Sequence, residues 1–381
     1  MTVLPTALAS ALPLLDGLGK VLVFLVMLSI LVVLHEAGHF AVARWNGVRV
    51  NEFAVGFGPA LFRWTSPRSG TVYALRAILV GGYCAMQGED GQTSEAEQQR
   101  HFRATGYADD NFQAKSPLRR LAIVVAGPFA NFILAYAILF VSAVTFGTAS
   151  TAWSTDIGPL QAGSPGAKAG LQMGDRIVSI DGVPYSDGDK LVQKIEASAG
   201  VPLHITVVRE GAERTFSVTP RADKQNGKTI GRIGFLRIPV FKRVDFAAAF
   251  PIAALQFRDK LTSQIEGLAI LVRHPVENAS NVSGIIGMGR AASAMQDLGW
   301  APYMELAAAI SIALGVLNLF PFPALDGGRA VFILAEMLRG RPVEPEKEAL
   351  VHATGFAFLM VLMVFVAYHD IANIVSGKGV F

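Results

Sequence analysis

Two histidines four residues apart with a carboxylate between them, His35-Glu36-Ala37-Gly38-His39, carry the densest chemistry in this sequence. On a helix, positions i and i+4 share a face, so both imidazoles can reach one metal ion, and zinc suits that ligand type. Glu36 lies beside them, placed to take a proton from an attacking water as general base. The motif ends an apolar run from Val21 to Leu34. Two imidazoles and a carboxylate are costly to bury there unless they are paired or metal-bound. The competing reading is a polar cluster that reaches to the membrane interface.

A catalytic zinc takes three protein ligands and keeps one position open. Asp326 is the candidate third ligand, in Asn318-Leu-Phe-Pro-Phe-Pro-Ala-Leu-Asp326-Gly-Gly. Pro321 and Pro323 break a helix before it, which frees backbone groups and lets the carboxylate turn toward a metal. A helix-capping carboxylate is the bland alternative. Asn318 can hydrogen-bond an unwound peptide or a developing oxyanion. Asn131, four residues after Gly127, supports either the metal site or helix packing.

The elements that must position these residues are largely apolar. Of 381 residues, 52% are hydrophobic and 17% charged, which places much of the chain in lipid. Four segments approach the ~20 residues needed to span a bilayer: 18–42, 118–146, 304–320 and 352–368. The first has no basic stretch before it and runs straight into His35, unlike a cleaved secretory signal. A net charge of +3 without a long basic run gives no nucleic-acid partner. Cys84 is the single cysteine, so no intramolecular disulfide forms, and it reads as a structural thiol.

Positive charge sets the expected orientation. Arg44, Arg49, Arg63, Arg68, Arg76, Lys115, Arg119 and Arg120 lie between the first two spans, and Arg339, Arg341 and Lys347 between the last two. These connections face the cytoplasm by the positive-inside rule, and the long connection between spans two and three faces outward. Trp45, Trp64, Trp300 and Tyr368 read as interfacial anchors.

The outer connection is Gly-rich and polar, with β-like runs at 176–180, 204–208 and 215–219, a helical pattern at 189–197, and turn chemistry at Asp181-Gly182 and Glu210-Gly211. It reads as a small α+β domain. Residues 244–271 alternate apolar and charged residues as an amphipathic helix does. Residues 48–62 and 71–83 are too short and too broken by glycine to span as helices, and read as strand hairpins or re-entrant loops at the membrane edge. Such segments offer a strand edge that an unwound substrate can join.

Taken together, His35-Glu36-x-x-His39 and Asn318-x-x-Pro321-x-Pro323-x-Leu325-Asp326-Gly327 resemble the site-2 protease family of intramembrane metalloproteases, and most of all its bacterial regulator-of-sigma proteases. The resemblance covers nearly the whole chain. Gly56-Phe57-Gly58-Pro59, Gly81-Gly82-Tyr83 and Gly127-Pro128-x-x-Asn131 are similar to further family landmarks. Gly163-Ser-Pro-Gly-Ala-Lys-Ala-Gly-Leu171, Gly174-Asp175-Arg176-Ile177 and Asp181-Gly182 resemble a PDZ module, present here once where some members carry two. The family's usual Gly-Pro pair before the third span stands here as Gly284-Ile285.

The resemblance implies a polytopic α-helical protein of the bacterial inner membrane, with about four transmembrane helices, membrane-edge β-hairpin or re-entrant segments, and an inserted extracytoplasmic α+β PDZ domain. Its expected divisions are 1–47, the first helix with HExxH; 48–117, the β-loop region; 118–150, the second helix; 151–240, PDZ; 241–303, an amphipathic connection; 304–340, the third span; and 341–381, a loop and the fourth helix. One Zn2+ is held by His35, His39 and Asp326, with Glu36 as the base. Asn318, Gly56, Gly58 and Asn131 are candidate substrate-binding or oxyanion positions. The implied substrates are single-span membrane proteins such as anti-sigma factors or signal-peptide remnants, cut after an earlier extracytoplasmic cleavage. A peptide or C-terminus bound by the PDZ module is a further implied partner, beside the lipid bilayer itself. The alternative is a non-proteolytic PDZ membrane scaffold, which leaves HExxH and Asp326 unexplained. His101, His204, His274, His352 and His369 lack ligand-like spacing and read as surface or interfacial residues.

Overall fold

The computed structural model describes residues 6–88, 110–161, 163–225, 228–274 and 284–375. Along the chain run α1 (Thr6–Trp45), β1 (Val50–Thr65), β2 (Val72–Met86), α2 (Pro117–Phe146), β3 (Thr148–Leu160), α3 (Pro165–Ala169), β4 (Arg176–Ile180), β5 (Val183–Pro184), α4 (Gly188–Glu196), β6 (Leu203–Arg209) and β7 (Ala212–Val218). Then follow β8 (Arg221–Gln225), β9 (Lys228–Arg232), β10 (Phe235–Lys242), α5 (Phe246–Arg273), α6 (Ile285–Leu298), α7 (Trp300–Leu319), α8 (Asp326–Arg339) and α9 (Pro345–Val375). The chain divides into two compact units. Unit 1 comprises Met1–Leu139, Ala253–Ser293 and Met304–Ile371; unit 2 comprises Phe140–Ile252, Ala294–Tyr303 and Ala372–Phe381.

Four helical stretches are long and apolar enough to cross a membrane: Gly17–Trp45, Pro117–Phe146, Trp300–Leu319 and Lys347–Ala372. They coincide with the four spans expected from sequence. On α9, Phe356, Val361 and Phe365 are exposed, as side chains facing lipid rather than water must be.

In unit 1, α1 and α2 approach closely because small residues meet. A Cβ on Gly38 would come within 2.4 Å of the Ala126 carbonyl and 2.7 Å of Ala130 Cβ. β1 and β2 form an antiparallel hairpin with repeated register shifts. Of the two forms expected for these residues, strand hairpin or re-entrant loop, they take the strand form. Gly56, Gly58 and Gly81 each hold a positive φ of 83–84°, which lets the strands bend where L-residues resist. The hairpin base packs into a core of Ala43, Val48, Val50, Met86, Phe112, Ile123 and Ile333.

A second helix, α6, stands in the connection where one amphipathic helix was expected. Asp370 Oδ2, on α9, accepts the Gly287 N–H at 3.0 Å and satisfies an orphan donor in the first turn of α6. A Cβ on Gly284 would come within 2.8 Å of that oxygen, so glycine is required there. Proline suits the first position of a helix but is not needed, which accounts for Ile285 in its place.

Unit 2 is an α+β structure whose main sheet has the order β10-β3-β4-β6-β7, with β5 beside β4, and a separate β8–β9 hairpin. Inward alternation along β6 puts Leu203, Ile205 and Val207 in its core, where they pack with Ile177 and Ile180, on either side of a register shift in β4, and with Leu191 and Ile195 of α4. Both anticipated turns are two-residue loops with positive φ throughout: Asp181 at 52° and Gly182 at 79°, Glu210 at 52° and Gly211 at 81°. This is the conformation that matches the twist of the flanking strands.

Candidate metal centre

One helical turn separates His35 from His39 on α1, and Asp326 opens α8 at the far side of the 320–325 turn. Their ligating atoms converge. His35 Nε2 and His39 Nε2 are 3.2 Å apart, and Asp326 Oδ2 is 3.1 Å from the first and 3.3 Å from the second. Both imidazoles are buried, and Asp326 Oδ2 is buried with no hydrogen bond directed at it.

Donors this close need a cation between them. A tetrahedral zinc with bonds of about 2.0–2.1 Å sets its ligands about 3.3–3.4 Å apart, so the three atoms fit that ion. They form the one group of three or more His, Cys, Asp or Glu ligands arranged to hold a metal among the described residues.

The surroundings fix how each imidazole is presented. His39 Nδ1 donates to the Ile123 carbonyl at 2.8 Å, which leaves the Nε2 lone pair facing Asp326. That carbonyl lies on α2 one residue before Val124, whose own carbonyl is the one Pro128 leaves without a helical N–H. Gly127 makes room for the ring, since a Cβ there would come within 2.2 Å of His39 Nε2. His35 Nδ1 meets the fully buried Asn131 amide at 3.1 Å. Metal on Nε2 leaves the His35 proton on Nδ1, so Asn131 must present its oxygen. That oxygen is the unpartnered atom when the amide nitrogen faces His35, and a half-turn of the amide pairs it with the Nδ1–H. Ser311 on α7 holds the Asn131 carbonyl at 2.8 Å.

A cavity of about 450 Å³ opens beside these residues, entirely within unit 1. Six of the eight candidate positions line it: His35, Glu36, His39, Asn131, Asn318 and Asp326. Gly56 and Gly58 are not among its lining residues; they shape the hairpin instead. Gly82 borders Glu36, with a hypothetical Cβ 3.8 Å from Glu36 Cγ. Cys84 is buried and also lines the cavity.

His352 corrects the sequence reading. Half-buried, it lines the same cavity and accepts the Ala324 N–H at Nδ1, 3.0 Å away, a task that the surface or interfacial reading did not give it. His101 lies outside the described residues. The sequence reading also missed the clearance at Gly127, although Gly127-Pro128 had been singled out as a landmark.

Two buried histidines and a half-buried aspartate, set between helices fit to cross a membrane, define a membrane-embedded metal site. Residues 23–362 match peptidase family M50, and the chain belongs to that family. It is 30% identical to the regulator of sigma-W protease RasP of Bacillus subtilis over 93% of this chain and 99% of that protein. Zinc metalloprotease RasP of Geobacillus kaustophilus is 29% identical over 93% and 98%. Metalloprotease MmpA of Caulobacter vibrioides is 31% identical over 91% and 94%. The protein is a membrane-embedded zinc metalloprotease.

Proposed function

We propose that this protease cuts single-span membrane proteins within their apolar segments, after an earlier extracytoplasmic cut has removed their outer domains. The observation that carries this reading is the His35, His39 and Asp326 group, its two histidines buried, among helices apolar enough to span a bilayer. Anti-sigma factors and signal-peptide remnants are the proposed substrates; a relative named regulator of sigma-W protease supports the first. The proposed location is the bacterial inner membrane, with the active site toward the cytoplasmic side, where Arg44, Arg119 and Arg120 flank the spans. Residues 151–240 are proposed to be an extracytoplasmic PDZ domain that binds a new C-terminus or rejects bulky substrates.

In the proposed mechanism His35, His39 and Asp326 hold the zinc. When bound, the metal supplies Lewis-acid polarisation of the scissile carbonyl and of the attacking water. Glu36 takes the proton as the water oxygen bonds to the carbonyl carbon, then delivers it to the amide nitrogen as the C–N bond breaks. Asn318, half-buried in the cavity wall, hydrogen-bonds the unwound peptide or the developing oxyanion. Gly56 and Gly58 bend the hairpin strand that takes up the unwound chain.

Quantitative proteomics of membranes from cells carrying Glu36→Gln tests the function. Cleavage falls on the order of 10²- to 10⁴-fold while zinc content is kept, so trimmed single-span proteins accumulate. Mapping the bonds that only the wild type cuts decides the rest. Cuts inside apolar stretches support the proposal, and cuts confined to soluble segments overturn it.

A further inference from the structure

The turn that presents Asp326 runs against the preference of its own sequence. Ala324 holds φ at +77°, a left-handed conformation that alanine rarely adopts. Two residues later comes the carboxylate, so the backbone angle at Ala324 sets the direction in which Asp326 leaves the turn. The turn is tight on its inner side. Phe322 N–H bonds the Phe320 carbonyl at 2.7 Å, and Leu325 N–H bonds the Phe322 carbonyl at 3.2 Å. Cβ atoms on Gly327 and Gly328 would each come within 2.3 Å of those same carbonyls.

On its outer side, three residues of α9 grip three consecutive turn residues. His352 Nδ1 accepts the Ala324 N–H at 3.0 Å. Gly355 packs on Pro323 so closely that a Cβ would come within 2.4 Å of Pro323 Cβ. The Phe358 ring meets that of Phe322 with centroids 5.6 Å apart. Positions 352, 355 and 358 recur at a helical spacing that lines them along one side of α9. Accepting at Nδ1 fixes the His352 proton on Nε2. Nε2 is buried with no hydrogen-bond partner, its nearest carboxylate oxygen being Glu348 Oε1 at 3.9 Å. The atom with a task is Nδ1.

We propose that His352 is a positioning residue for the metal centre, its Nδ1 holding Ala324 in the left-handed conformation that aims Asp326 at His35 and His39. The proposal rests on the reading of Asp326 as a zinc ligand. It predicts which replacements work. Asparagine sets an amide oxygen where Nδ1 lies, glutamine reaches instead toward Nε2, and leucine fills the space with no acceptor.

The test is zinc retention by the purified full-length protein against a competing chelator, with the melting temperature of each zinc-free variant measured in parallel. His352→Leu should lose zinc at about 10- to 100-fold lower chelator, the range for outer-shell partners of a metal ligand. His352→Asn should stay within about threefold of wild type on the same scale, and His352→Gln should behave like leucine. Ala324→Gly, which adopts positive φ freely, should restore most of the zinc retention to His352→Leu in the double variant. A role in packing alone would lower the zinc-free melting temperature of leucine and asparagine variants alike, with no rescue by glycine, and would overturn the proposal. Rescue by glutamine but not asparagine would overturn it too, by making Nε2 the working atom. Asp326→Asn separates the two readings. If it keeps zinc, the ligand assignment fails; if it loses zinc while His352→Leu does not, only the role of His352 fails.

Discussion

Two carboxylates with buried oxygens, one in each unit, solve the same desolvation problem in opposite ways. Asp175 in unit 2 is 1% exposed and fully partnered. Arg209 donates to both its oxygens, Nε at 2.6 Å and Nη2 at 2.7 Å, and the Gln172 N–H adds a third bond at 2.8 Å. Asp326 in unit 1 faces two imidazole nitrogens, and its buried Oδ2 receives no hydrogen bond. A buried carboxylate surrounded by donors is finished as it stands, and its work is to hold the fold. One surrounded by other electron-pair donors is complete only with a cation, and its work is chemistry.

Removing each carboxylate should therefore fail differently. Asp326→Asn should bring the zinc content of the purified protein to background and abolish cleavage with it, while unit 2 melts as before. Asp175→Ala should leave zinc stoichiometry intact but lower the denaturant midpoint of unit 2, because half-buried Arg209 loses both carboxylate bonds and keeps only the Gly170 carbonyl, while the Gln172 N–H loses its acceptor. Loss of zinc in the second variant would erase the distinction between the two sites.

Acid sharpens the same contrast. Burial pushes the Asp175 carboxyl up, but the Arg209 and Gln172 hydrogen bonds outweigh it and hold it below the usual carboxylate range. A carboxyl depressed in the folded state adds stability that is complete above its unfolded value, near about 4, and disappears as pH falls through the folded value. Wild-type unit 2 should lose stability on acidification below about pH 4 more steeply than the Asp175→Ala variant, which lacks this group. Circular dichroism across an acid titration of both proteins measures the difference.

How legible each site was in sequence follows from how local its geometry is. The pairing of His35 with His39 is a property of one helix, and the two-residue turns at Asp181-Gly182 and Glu210-Gly211 are set by residues that favour them. The β-like runs of unit 2 and the four apolar spans were equally readable, since periodicity and length express them directly. The grip of α9 on the 320–325 turn was not. Ala324 gives no sign of a positive φ, and His352, 28 residues away, has no ligand spacing that would connect it to Asp326. Gly127 stood out as a residue type beside Pro128, but that it clears space for a ring 88 positions earlier in the sequence is a fact of packing. The separate helix α6 was hidden because its first turn is completed by Asp370, on a distant helix, rather than by a local cap.

The smallest expected effect concerns Asn131, which stands between the two solutions. It is fully buried like Asp175, yet one of its amide atoms lacks a partner, as at Asp326. If zinc on His35 Nε2 keeps the proton on Nδ1, Asn131 serves as an acceptor and its amide nitrogen is not needed there. Asn131→Asp then keeps an oxygen facing His35 and should hold zinc within about tenfold of wild type, as carboxylate–imidazole–metal relays do. Asn131→Leu, of similar size but without an acceptor, should weaken zinc binding by about 10- to 100-fold and leave His35 free to rotate. Chelator competition on the two variants reads the order directly. Aspartate weaker than leucine would mean that the Asn131 N–H, not its oxygen, meets His35, and the ring nitrogen that binds the metal would have to be reassigned.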